Sequence, residues 1–134
     1  MNIAAGVLII IAAVLNIMGG CTYAVGGALA SGAGDMGSEF AEFAEAQEGS
    51  AEAAEIADGS ADLKATGAGL TFFGYALFVI AGIMIAGAVF LFKKTKAGFV
   101  LLTGVLAIGA EVGGILIIQF GVMNVVGLVA GILA

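Results

Sequence analysis

The sequence predicts an all-α integral membrane protein: a four-helix bundle with an acidic, partly helical extracytoplasmic loop between its first two helices. Three observations carry that expectation. Hydrophobic residues make up 62% of the 134 and the mean hydropathy is +1.21, a composition that the surface of a soluble domain would not tolerate. Stretches such as Val7 to Val14 and Leu70 to Phe92 are almost wholly apolar, without the period-two alternation of a transmembrane barrel strand. At roughly 20 residues per helical crossing, the length accommodates about four spans and one sizeable loop. The expected organisation is a single membrane domain over residues 1–134, with spans at about 3–30, 63–92, 97–111 and 115–133 and an outer loop at 31–62.

The turn Lys93-Lys94-Thr95-Lys96 sets the expected orientation. It holds three of the four lysines, and the chain has no arginine. Positive residues in short loops resist translocation, so Lys93, Lys94 and Lys96 belong on the cytoplasmic side. Both termini are then cytoplasmic and the acidic loop lies outside.

The first span starts at Ile3 without a basic residue. Ala28-Leu29-Ala30 has the look of a signal-peptidase site and Gly19-Gly20-Cys21 of a lipoprotein box, but both lack the basic region that precedes export signals, so the segment is read as a true span. Ala12, Asn16, Gly20, Ala24 and Ala28 recur every fourth residue and define a strip where a neighbouring backbone can approach closely.

The loop is punctuated by Gly37-Ser38, Gly49-Ser50 and Gly59-Ser60, each serine followed within two residues by an acid. That arrangement suits serine N-caps with acids at the positive helix end. Two short loop helices follow, one over Glu39–Glu48 with Phe40 and Phe43 on its apolar face, one over Ala51–Asp58 with Ile56 on its own. Helices so short need support, so Phe40, Phe43 and Ile56 are expected to dock the loop as an ordered cap.

The last 38 residues must supply two crossings around a tight turn, for which Glu111-Val112-Gly113-Gly114 is preferred. The competing turn, Gln119-Phe120-Gly121, would bury the Glu111 carboxylate within a span at a cost of several kcal/mol. Gly109-x-x-x-Gly113 and Gly127-x-x-x-Gly131 each permit close helix approach.

The order of apolar N-terminus, Gly-rich first span, polar loop, Lys-rich turn and glycine-studded final hairpin, with "LNIMGG" and "KTKAGFVLLTGVLAIGA" as its local patterns, resembles small prokaryotic four-helix membrane proteins of unknown function. The resemblance implies topology alone. Claudins and tetraspanins share that topology, but their outer loops carry paired cysteines and this chain has one cysteine and no tryptophan.

Reactive groups are few. With no histidine and Cys21 alone, transition-metal ligand sets, haem ligation and nucleophile–His pairs are absent; no cofactor is expected. Nine of the ten acids lie between Asp35 and Asp62, which argues against nucleic-acid binding. Clustered carboxylates suit hard cations, so weak cation binding at the loop stands as the alternative to a solvated face. The function expected is non-enzymatic: a structural or accessory protein that packs laterally with itself, as a homo-oligomer, or with a larger membrane complex. The alternative is a small channel or transporter-like conduit lined by Asn16, Glu111, Gln119 and Asn124.

Overall fold

Four helices account for nearly every described residue: α1 (Asn2–Glu48), α2 (Ala51–Phe92), α3 (Ala97–Ile117) and α4 (Val122–Leu133). The structure, a computed structural model, describes residues 2–48, 51–117 and 122–133. Among the described residues, three helices contain a window long and apolar enough to cross a membrane: α1, α2 and α3. As described, α4 has 12 residues.

The expected loop at 31–62 is helix throughout its described residues, 31–48 and 51–62. α1 continues unbroken to Glu48 and α2 starts at Ala51, each more than twice the length of a single crossing. Ser38 and Ser60 do not cap helices. The Ser38 hydroxyl donates to the carbonyls of Gly34 and Asp35 at 3.1 and 2.8 Å, and that of Ser60 to the Ile56 carbonyl at 2.6 Å. Such back-bonding satisfies a mid-helix serine without ending the helix. The chain has no proline, and of the residues that read as breakers Gly37 and Ser60 meet across the two helices while Gly59 stays exposed within α2. The Gly49-Ser50 pair lies outside the described residues.

That contact follows a repeat of seven. Gly6, Ala13, Gly20, Gly27, Gly34 and Ala41 on α1 are all buried, as are Ala53, Ser60, Gly67, Gly74, Ala81 and Ala88 on α2. Seven residues is the period at which two helices keep one seam in contact along their length. Because every position on this seam is small, the backbones come close.

Contacts divide the chain into two compact units: residues 1–20 with 76–134, and residues 21–75. In the second, α1 and α2 form an antiparallel hairpin. A Cβ added at Gly34 would lie 2.7 Å from the Ser60 carbonyl oxygen and 2.9 Å from the Lys64 nitrogen, and one at Gly67 would lie 2.6 Å from the Gly27 carbonyl oxygen. Tyr23 and Phe73 meet edge to face at 5.1 Å, and Lys64 pairs with Asp35 at 2.6 Å.

The first unit packs Ile9, Ala12 and Ala13 of α1, Ala81, Met84 and Ala88 of α2, Ala107 of α3 and Ala130 of α4 into one core. Thr103 of α3 fills the space that Gly87 leaves on α2 and donates to the Phe99 carbonyl at 2.9 Å. α4 lies antiparallel against α3, with Gly127 on Glu111 and Gly131 on Gly104 and Ile108.

α3 runs straight through Glu111-Val112-Gly113-Gly114 to Ile117, so the preferred turn is overturned. The glycines there lie within the helix, and Gly127 gives the Glu111 side chain room against α4. The competing segment Gln119-Phe120-Gly121 lies outside the described residues.

The lysine turn is built as a helix stop. The Lys94 amide donates to the Leu91 carbonyl and the Thr95 amide to the Phe90 carbonyl, the paired bonds of a Schellman motif, whose left-handed residue is usually glycine. Here that residue is Lys94, at φ 51°. Lys94→Gly should therefore raise stability by about 1 kcal/mol in a denaturant titration. No gain would mean that the turn carries no strain.

Candidate functional site

Burial falls off along the strip expected on α1. Ala12, Asn16 and Gly20 are buried, Ala24 is half-buried and Ala28 is exposed. Steps of four residues drift about 40° around a helix at each repeat, so a period-four strip leaves a seam that recurs every seven. The seven-residue repeat was present in the sequence and would have located the contact. Gly127 and Gly131 lie where helices touch, Gly113 is half-buried, and Gly109 has no atom within 4 Å of an added Cβ.

Among the described residues of the first unit, three polar side chains are buried: Asn16, Thr103 and Glu111. The Asn16 amide donates to the Met84 sulfur at 3.3 Å, a soft acceptor in an otherwise apolar core. Glu111 is 8% exposed. It shares its face of α3 with the buried Thr103 and Ala107, at intervals of four. The unit's three lysines are all in the turn, and Lys96 sits 5.2 Å above the Phe90 ring, which itself meets Phe99 edge to face. Glu111 is 14 positions along α3 from Ala97, about 21 Å from that cationic end. Of the remaining conduit candidates, Gln119 lies outside the described residues and Asn124 is in α4, its side chain outside the described ones.

The hairpin of the second unit carries nine acids and one lysine, Lys64. Among its described residues, no group of three or more acids converges as a metal site would require. The carboxylates radiate from two continuous helices.

Phe40, Phe43 and Ile56 do not dock the hairpin as expected. Phe40 and Phe43 are 68% and 62% exposed, and Ile56 is exposed too. The small residues of the seam bring the helices close at Gly27, Gly34 and Gly67. The aromatic rings are consequently left on the outer face, beside Met36, also exposed, and with Glu39 they line a shallow groove of about 330 Å³. Sequence reasoning placed these side chains on one face and misjudged what that face meets.

No family model matches the chain, and comparison with characterised proteins and with solved structures finds no match.

Proposed function

We propose that this chain is a non-enzymatic accessory protein of a membrane, packing laterally with copies of itself or within a larger membrane complex. In this reading the lysine turn lies at the cytoplasmic surface and the acidic hairpin on the opposite side. Counting back along α2 from Lys93, about 20 residues at roughly 1.5 Å each cross a ~30 Å hydrocarbon layer and arrive at Phe73. Tyr23, Phe72, Phe73 and Tyr75 cluster near that level, Phe72 and Tyr75 exposed, as suits an interfacial aromatic belt. A fourth crossing would draw on residues 118–134, which number 17, at the lower limit of about 17 for a span. The prokaryotic cytoplasmic membrane is proposed on the sequence resemblance alone.

The observation that carries the reading is the exposure of Met36, Phe40 and Phe43. Lipid covers apolar side chains within a bilayer, but Met36 lies 13 residues past Tyr23, about 20 Å further along α1. Large apolar side chains grouped in water mark a surface that a protein covers. Gentle extraction followed by native mass spectrometry should therefore find a particle heavier than the 13.1 kDa chain. A lone chain would sink the proposal.

The buried Glu111 favours a second reading, a conduit for protons or cations, since ionisable groups within spans are costly and commonly functional. Ion flux in proteoliposomes that Glu111→Gln abolishes would establish it. The orientation has its own test in a Cys21→Ser background. A membrane-impermeant thiol reagent should label Asp58→Cys in intact cells and leave Thr95→Cys unlabelled; the opposite pattern inverts the topology.

A further inference from the structure

We infer that the outer face of α1 in the hairpin is the docking surface for an amphipathic helix of a different protein, one with an apolar stripe flanked by Lys or Arg. The inference rests on the assembly proposed above and names the partner's chemistry. Val25, Leu29, Met36, Phe40 and Phe43 are all exposed, and their spacings of four, seven, four and three keep them on one side of the helix. The seam with α2 uses Gly27, Gly34 and Ala41, each two positions from a member of this set and so about 200° around the helix. α1 therefore has two faces of helix-packing period, and α2 occupies one of them.

Charge decides between occupants. Glu39 borders the apolar residues and lines the groove with Phe40 and Phe43, while Glu42 lies further round, in a groove shared with α2. Lys64 engages Asp35 and is the hairpin's single lysine against nine acids. A second copy would bring the same excess of acids to the face, and net charges of like sign oppose a pairing. A helix bearing cations beside its apolar stripe would complement Glu39 and that excess, the stripe covering Met36, Phe40 and Phe43. This is a helix-packing mode in which anchors at i, i+4 and i+7 carry the affinity.

The test uses the full chain in nanodiscs of zwitterionic lipid, titrated with a labelled helical peptide of leucine heptads flanked by lysine. Empty nanodiscs and a glutamate-flanked version of the peptide serve as controls. The lysine peptide should bind and the glutamate peptide should not. Phe40→Ser with Phe43→Ser should weaken binding about tenfold or more, as loss of buried aromatic anchors does. Phe40→Leu with Phe43→Leu should retain most of it, and far-UV circular dichroism should show the hairpin intact in both. Glu52→Gln with Glu55→Gln, exposed on α2, should change binding by less than about threefold, since charges away from the face are screened. Equal losses from the phenylalanine and glutamate pairs would reduce the effect to diffuse attraction and overturn the inference. So would absence of peptide binding by a chain that still assembles. A serine pair that instead breaks the native particle into single chains would make the occupant a second copy. A chain found alone after gentle extraction, by contrast, removes the parent reading itself.

Discussion

Leucine at Gly34 should open the hairpin. A Cβ at that position would sit 2.7 Å from the Ser60 carbonyl oxygen and 2.9 Å from the Lys64 nitrogen, and both are backbone atoms of a helix that cannot yield locally. The whole of α2 would have to move outward, losing the close contact at Gly27 and Gly67 and separating Asp35 from Lys64. Overpacking of this kind costs about 1–3 kcal/mol where side chains can adjust, and about 3 kcal/mol or more is expected here. Gly59, beside Ser60 in the chain, has nothing within 4 Å of its added Cβ. Gly59→Leu should therefore hold or slightly raise stability, because leucine is the better helix former by up to about 1 kcal/mol. Limited proteolysis between residues 35 and 62 separates the two outcomes. Equal protection of both variants would show that the seam does not depend on glycine.

What was legible in the sequence depends on the range of the forces involved. The apolar runs and the lysine turn act through local composition, and α2 ends at Phe92 with α3 beginning at Ala97 on either side of that turn. The Gly-Ser pairs misled for the same reason. Glycine and serine weaken a helix when nothing else holds it, whereas Gly34, Gly37 and Ser60 gain a partner helix that packs only on small side chains. Tertiary contact outweighed local propensity, and its trace in the sequence was the seven-residue spacing, not the residue types. Phe40 and Phe43 show the complementary limit. Periodicity placed them on a shared face, but whether a face turns toward a neighbouring helix or away from it depends on which other face packs more closely.

Glu111 was taken as the marker of a turn because a charged group in a span is expensive; it is instead housed in α3, at the point where Gly127 on α4 has no side chain. Leucine at position 127 removes that space. An added Cβ there runs into the Glu111 side chain along most of its length, down to Cγ, so moving only the carboxylate does not relieve the clash. Either α4 shifts away from α3, exposing Ala130 and Gly131, or the carboxylate is driven out toward lipid. Both routes are costly, and Gly127→Leu should lower stability by about 3 kcal/mol or more. Gly109→Leu supplies the comparison, as the position is exposed and open on the outside of α3. The two glycines occupy equivalent places in their sequence motifs, so a motif-level account expects equal damage from both. Thermal unfolding in detergent should instead show a large drop for Gly127→Leu and little change for Gly109→Leu. Adding Glu111→Ala to Gly127→Leu should recover part of the loss, because it removes the atoms that clash. Failure of that double variant to recover would mean that Glu111 and Gly127 are not in contact, and α4 would then need another site on α3.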